Sequence, residues 1–292
     1  MKIIHHFDSD GKAAAYIVNK LTTEKDEFGK EYFSINYGIA FPFEKINKGE
    51  IVYIVDYSIS PQEMDRLLSI TPNVIWIDHH ITAINKYKGY DKPIRGLRYD
   101  GIAGCMLTYN YLTQIKQGKR EDEILYSPLT CESAPEFLKL IADYDVWEFK
   151  YGARTKGFEK GLSLYPNNPD DNLWDILWEE PSNFMEKIIQ QGLTVIKYRK
   201  NLMQNICKYK GFATVFDGYK AWAVNCPSMT SADYYHPDDE EYDIYISFSY
   251  NGKEWVYSLR SCNGVDVAAI AAKHGGGGHK AAAGFSSKKM LL

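Results

Sequence analysis

The five cysteines (Cys105, Cys131, Cys207, Cys226 and Cys262) are scattered, with no CxxC pair among them. That argues against a disulfide framework and leaves a reduced, intracellular protein, expected in the cytoplasm. No apolar run approaches the roughly 20 residues that cross a bilayer. Nor does a basic and then apolar leader precede Met1-Lys2-Ile3-Ile4, so neither membrane insertion nor secretion is expected. Basic excess is missing too: 34 Lys and Arg stand against 38 Asp and Glu, a net charge of -4. A long nucleic-acid polymer, which normally wants a basic face, is therefore not an expected partner. A short anionic substrate held by metal ions remains compatible with this balance. Internal repeats are absent as well. What is present is a 45% hydrophobic, 14% aromatic chain of 292 residues, long enough that two domains are expected.

Residues 2–7 read as a short buried strand, followed by a helix from Lys12 to Leu21 with apolar positions Ala13, Ala14, Ile17, Val18 and Leu21. Residues 51–55 and 73–77 read as two more buried strands. Between them Ser60-Pro61-Gln62-Glu63 is a capping box with proline at the first helical position. Ser133-Ala134-Pro135-Glu136 reads as a second such box, opening a helix towards Asp143. Strands alternating with helices predict an α/β domain with a mainly parallel sheet flanked by helices. From Phe184 to Ile206 apolar residues keep a helical period, which predicts a connector helix. Beyond it, Asp217-Gly218 and Asn251-Gly252 are hairpin signals between apolar runs, so a smaller α+β domain is expected, ending in an Ala-rich helix (Val267–Lys273). The expected organisation is residues 1–182, connector 183–207 and second domain 208–292, with the polar stretch 227–241 as a loop or flap.

Carboxylates and imidazoles gather at the predicted strand ends: His5, His6, Asp8 and Asp10 after the first, Asp56 after the second, Asp78, His79 and His80 after the third. That edge is where open α/β sheets place their chemistry. Strand parity puts His6 and Asp8 on one face and His5 on the other, so His6 is preferred, unless a bulge shifts the register. Asp10 is expected just past the strand, where Gly11 allows a sharp turn. A further carboxylate comes from Asp143 or Asp145; Asp145 is preferred as falling past the helix end. A lone Asp-x-Asp-Gly is more often a turn or helix cap, and a lone His-His pair is more often surface or core. Their common order and placement argue against coincidence. Each pair of like charges at about 4 Å costs about 4 kcal/mol at an effective dielectric of roughly 20. Such a cluster persists only with cations or protons. Hard carboxylates with imidazole and no thiolate suit Mn²⁺ or Mg²⁺ better than a structural zinc.

The segments His6-Phe7-Asp8-Ser9-Asp10-Gly11, Asp56, Asp78-His79-His80 and Asp143-Tyr144-Asp145-Val146-Trp147 resemble the four motifs of the DHH phosphoesterase superfamily. The tail Ser258-Leu259-Arg260-Ser261, Val265-Asp266-Val267-Ala268 and Gly275-Gly276-Gly277-Gly278-His279-Lys280-Ala281-Ala282-Ala283-Gly284 is similar to its DHHA1 substrate-binding domain. The likeness spans almost the whole chain and looks closest to the oligoribonuclease (nanoRNase) members. It implies two Mn²⁺ per active site, with Mg²⁺ possible, and with Asp8, Asp10, Asp56 and His79 as ligands and Asp56 as the bridge; the preferred His6 and Asp145 would complete the set. Many members carry the first-motif histidine four residues before the first aspartate, a position held here by Ile4. His80 would contact the substrate phosphate, and Asp78 would orient its neighbours. The implied reaction is hydrolysis of short oligoribonucleotides to nucleoside monophosphates. Rivals are cyclic or linear dinucleotide cleavage, removal of the 3′-phosphate from 3′-phosphoadenosine 5′-phosphate, pyrophosphate cleavage, and a catalytically silent nucleotide sensor. A homodimer is compatible with the family.

In the glycine-rich tail, Gly276, Gly277 and Gly278 could expose successive backbone N–H groups to an anion. A helix C-cap or flexible linker is the plainer reading of glycine alone. His279 as a closing donor and Arg260 on a hairpin strand favour binding, with Lys273, His274 and Lys280 as auxiliary charge. Tyr234, Tyr235 and His236 are weaker candidates for base stacking.

Overall fold

Strands without a polar residue at their centre are buried on both faces, and three such strands, with a more exposed fourth at one edge, build the first sheet. The computed structural model describes residues 1–179, 181–227, 229–230, 233–234 and 241–292, with the backbone only of 181 and 182. The chain divides into two compact units, Met1–Val195 and Ile196–Leu292. The first contains β1 (Lys2–His6), α1 (Ser9–Leu21), β2 (Glu31–Ile35), β3 (Val52–Val55), α2 (Pro61–Ile70), β4 (Val74–Ile77) and α3 (Ile81–Lys86). It continues with α4 (Gly104–Lys116), α5 (Pro128–Glu132), α6 (Glu136–Asp145), α7 (Ala153–Leu162), α8 (Leu173–Glu179) and the first half of α9 (Pro181–Lys210). The sheet is all parallel, in the order β2-β1-β3-β4.

Period-2 alternation sorts the strand side chains into two cores. Ile3, Tyr53, Val55, Ile75 and Ile77 face a cluster that includes α1, α4 and α6. Ile4, Val52, Ile54, Val74 and Trp76 face a second cluster with Met64 and Leu67 of α2. The Ser60 capping box is formed: Glu63 N–H donates to Ser60 Oγ, and Ser60 N–H to Glu63 Oε2 at 2.8 Å.

Two local expectations are corrected. Ser133 does not open a capping box. It closes α5, its Oγ donating to Thr130 O, and α6 starts from Pro135 without a side-chain cap. The preceding helix has already engaged that hydroxyl. Gly11 lies within α1, which starts at Ser9 with Asp8 as N-cap. Glycine is required there by close approach instead, since a Cβ would fall 2.3 Å from the His6 carbonyl oxygen.

Glycines also set how α7 meets α9. Gly157 and Gly161, four residues apart and so on one helical face, pack on Gly192. A Cβ on Gly192 would lie 1.8 Å from Gly157 O and 2.5 Å from Gly161 N. Overpacking of this kind costs about 1–3 kcal/mol. Gly192→Ala should therefore lower Tm by roughly 5–10 °C while leaving any cation-induced rise in Tm intact. An unchanged Tm in calorimetry would show that the helices part without cost.

The second unit holds the rest of α9, then β5 (Gly211–Phe216), β6 (Tyr219–Asn225), β7 (Ile244–Tyr250), β8 (Trp255–Ser261), α10 (Val267–Lys273), β9 (Gly277–His279) and β10 (Ala282–Ser287). Its mixed sheet runs β5-β6-β7-β8-β10-β9. Both hairpins form where expected: Asp217 and Gly218 turn with φ of 52° and 87°, the left-handed pair of a two-residue hairpin. Asn251 Oδ1 accepts from Lys253 and Glu254 N–H to close the other. Ile246, Leu259, Ala283 and Phe285 pack with Ile270 and Ala271 of α10 on one face of this sheet. On the other face Met203 and Cys207 of α9 pack with Trp222 and Val224. Of the stretch expected as a loop or flap, Tyr235 and His236 lie outside the described residues.

Candidate metal centre

The carboxyl ends of β1, β3 and β4 are adjacent in register: His5 pairs with Val55, and Val55 with Ile77. The residues that follow, His6, Asp56 and Asp78, are thereby set side by side. Asp56 leaves its strand at φ 52°, a left-handed conformation uncommon outside glycine, while its N–H is held by Ile77 O at 2.9 Å. The turn re-aims a side chain that an extended strand would have sent into a core.

Among the described residues, three groups of ligating atoms lie within 4.8 Å of one another: His6, Asp8 and Asp56; Asp56, His79 and His80; Asp10, His79 and Asp145. Asp56 is common to the first two, and His79 to the last two. His6 Nδ1 is 2.6 Å from Asp8 Oδ2 and 3.8 Å from Asp56 Oδ2. His79 Nε2 is 3.1 Å from Asp56 Oδ1 and 3.5 Å from Asp145 Oδ2. His5, by contrast, is buried, with its Nδ1 2.6 Å from His6 O. Burial pulls its pKa down to about 4.

Asp145 reaches the centre for a reason other than the one expected. It does not fall past the helix end; it is the last residue of α6. Two residues on a helix differ by roughly 200° in direction. Asp143 is accordingly turned away, accepting from Lys150 N–H at 2.7 Å and Tyr151 N–H at 3.3 Å and from the Thr155 hydroxyl. Asp78 is fully buried and accepts from His79 N–H at 2.9 Å, with His80 Nδ1 2.7 Å away.

The electrostatics demand a counter-charge. Burial, and after it the charges of Asp10, Asp8, Asp145 and Asp78, push the Asp56 carboxyl well above the usual range. Burial, then Asp10, Asp8 and Glu159, push Asp145 up to about 8. For Asp8 burial acts upward but is outweighed by the hydrogen bonds from His6 and Gly11 N–H, so its pKa is lowered. For His6 burial acts downward and is outweighed by Asp8, so its pKa is raised. Asp56 Oδ2 and Asp145 Oδ2 are shielded from solvent without a hydrogen-bond partner. An orphaned buried acceptor costs about 1–3 kcal/mol, more if charged. Hard oxygen and imidazole donors with orphaned carboxylate oxygens fit divalent cations of the Mn²⁺ or Mg²⁺ kind.

Four residues escape sequence reading. Gly104 and Cys105, at the start of α4, donate their N–H groups to Asp10 Oδ2 and Oδ1 at 2.6 and 2.9 Å. The segment Gly101-Ile102-Ala103-Gly104 is the only signal. Glu159 of α7 accepts from the Ser9 hydroxyl at 2.9 Å, and nothing local in the sequence marks it. Tyr37 stands beside His6 and His80, each ring 6.0 Å away centroid to centroid.

In the second unit, strand register aligns Tyr245, Arg260, Ala282 and His279 across β7, β8, β10 and β9. Directly paired residues share a face, so Arg260 and His279 stand on one face with a small side chain between them. The glycine run differs from the expected loop. Gly275 and Gly276 donate their N–H groups to Ala272 O and Ala271 O, closing α10, and Gly277 and Gly278 belong to the edge strand β9. A Cβ on Gly276 would meet Gly284 O at 2.1 Å, and one on Gly278 would meet Ala283 Cα at 2.6 Å. Lys273 and His274 pair with Asp217, at 3.3 and 3.1 Å. Tyr234 stacks on Tyr245 with centroids 4.6 Å apart.

No family model matches the chain. An uncharacterized protein, R106, of Acanthamoeba polyphaga mimivirus is 27% identical, over 99% of this chain and 68% of its own length. Among solved structures the chain is similar to an exonuclease RecJ bound to manganese (14% identity, 98% of this chain and 85% of that one, TM-score 0.49). It is also similar to PggH of Vibrio cholerae, described as a pGpG-specific phosphodiesterase (10% identity, 98% and 92%, TM-score 0.48). Identities this low carry no residue's role from one chain to another; the roles assigned here rest on this chain's own side chains. No helix among the described residues is long and apolar enough to cross a membrane. The four first-unit segments whose order resembles the DHH motifs converge on one centre through His6, Asp8, Asp10, Asp56, His79 and Asp145.

Proposed function

We propose that the protein is a metal-dependent phosphodiesterase that hydrolyses short oligoribonucleotides to nucleoside monophosphates. One observation supports this above the others: six side chains from four separate segments, His6, Asp8, Asp10, Asp56, His79 and Asp145, meet in overlapping ligand groups. His6, Asp8 and Asp56 would hold one cation; Asp10, Asp56, His79 and Asp145 the other. When bound, two such cations polarise the phosphoryl group and lower the pKa of water.

The chain's own residues do the rest. Asp78 fixes the His80 ring through Nδ1, leaving its other nitrogen to donate to a phosphoryl oxygen and to steady charge developing there. Asp10 is itself fixed by two backbone N–H groups, so its side-chain position is set before substrate arrives. Arg260 and His279 would take a phosphate or sugar edge of a nucleotide. Gly277 and Gly278 would keep the edge strand open to it, while Gly276 acts by closing α10. Arg260→Ala should raise KM more than it lowers kcat; the reverse split would move Arg260 into transition-state chemistry.

Purified protein with Mn²⁺ should be offered labelled di- to decaribonucleotides, cyclic dinucleotides, 3′-phosphoadenosine 5′-phosphate and pyrophosphate side by side. Fastest release of monophosphates from the shortest RNAs is expected. Preference for another arm would reassign the substrate, and no metal-dependent turnover of any would leave a silent nucleotide sensor.

A further inference from the structure

One half-buried carboxylate at the centre belongs to none of the four motifs. Glu159, on α7, lines a cavity of about 70 Å³ together with Asp8, Asp10 and Asp145. That volume holds several waters, since a single water needs roughly 10–15 Å³. Its two oxygens stand in different situations. Oε1 accepts from the Ser9 hydroxyl at 2.9 Å, and Ser9 lies between Asp8 and Asp10. Oε2 is shielded from solvent and has no hydrogen-bond partner. Glu159 nevertheless joins none of the groups whose ligating atoms fall within 4.8 Å of one another. It is therefore too far out to complete either inner ligand set, yet it shares the cavity with three of the ligands.

We infer that Glu159 is a positioning residue of the metal centre: one oxygen anchors the Asp8-Ser9-Asp10 segment, and the other adds negative charge that draws a hydrated divalent cation. This rests on the reading of the site as a divalent-cation centre. An acceptor left without a donor inside protein is costly, and a fourth carboxylate beside three others is more so. Both costs fall when a hydrated cation occupies the cavity.

Glu159→Gln and Ser9→Ala separate the two oxygens' roles. The glutamine keeps an acceptor for Ser9 and removes the charge; the alanine keeps the charge and removes the anchor. The probe is Mn²⁺ alone, titrated by calorimetry and by thermal shift without substrate. Glu159→Gln should raise the metal-free Tm, weaken Mn²⁺ binding by about tenfold and shrink the Mn²⁺-induced rise in Tm. Ser9→Ala should lower the affinity by less. Wild-type Mn²⁺ affinity in Glu159→Gln would overturn the inference, as would a loss seen only in Ser9→Ala. Should Glu159→Gln not fold, Glu159→Asp, which keeps the charge but shortens its reach, must weaken Mn²⁺ binding for the inference to stand. If the wild-type chain binds no divalent cation at all, it is the reading of the centre that fails, and that outcome is distinct from the others.

Discussion

Asp56→Asn is expected to make the metal-free protein more stable and, at the same time, to abolish its response to Mn²⁺ and lower kcat/KM by at least about a thousandfold, roughly 4 kcal/mol of transition-state stabilisation. Few substitutions move stability and activity so far in opposite directions. Asp56 is 1% exposed, its Oδ2 has no partner, and burial, with four other aspartates after it, pushes its pKa well above the usual carboxylate range. A carboxyl whose folded pKa lies above its unfolded value adds stability that is fully present below the unfolded pKa. That stability is lost as pH rises through the folded one. Asp145, raised to about 8, behaves alike. The metal-free wild type should therefore lose stability between about pH 4 and pH 8, where many proteins gain it. Asparagine does not titrate, so the variant should fall less steeply and melt higher near neutral pH.

Added Mn²⁺ reverses the slope for the wild type, because the cation binds the ionised carboxylates and its affinity rises as they deprotonate. At about a hundredfold over Kd, a site contributes about 2.7 kcal/mol, or roughly 5–10 °C in Tm for a unit of this size. The variant has lost a residue shared by two of the three ligand groups and should show little of it. Differential scanning calorimetry at pH 5 and pH 8, with and without Mn²⁺, reads all four states. A full Mn²⁺-induced rise in Asp56→Asn would remove Asp56 from the centre.

The parts of this site that could be read from sequence are those whose cause is local. A strand buried on both faces must be apolar throughout, so residues 52–55 and 74–77 announce themselves, and the first polar residue after each marks the carboxyl edge. A left-handed two-residue turn needs a pair such as Asp217-Gly218, and the Asn251 side chain beside Gly252 closes the other turn. Failures occurred where the deciding neighbour is distant in sequence. Ser133 has the right spacing for a cap but is engaged by the helix before it. Gly275 and Gly276 could cradle an anion by composition, yet their N–H groups close α10. The preference for Asp145 came from an assumed helix end; helix angle, not helix termination, separates it from Asp143. Glu159 and Gly104 were invisible because their partners are about 150 and 94 residues away.

Gly104 shows how much such a remote contact can control. Gly104→Ala adds one methyl group at the first position of α4. That Cβ would lie 2.6 Å from Asp56 Cβ and 3.0 Å from both Asp56 Cα and Asp10 Oδ2. Asp56 has nowhere easy to go, since its φ is already 52° and its N–H is tied to Ile77 O. Moving Asp10 would lengthen both hydrogen bonds from the start of α4. The crowding should cost about 1–3 kcal/mol of metal-free stability, a modest effect beside the one on function. Two ligands are displaced together, and a misplacement of about 1 Å can cost roughly a hundredfold in rate. Gly104→Ala should thus lower kcat by at least that factor and weaken Mn²⁺ binding in calorimetric titration. Cys105→Ala is the informative neighbour: it keeps the backbone N–H that Asp10 uses and adds no atom facing Asp56. It should bind Mn²⁺ as the wild type does, whatever it costs in packing. If instead Cys105→Ala loses the cation and Gly104→Ala retains it, the α4 start would act on the centre through side-chain packing rather than through the close approach of its backbone.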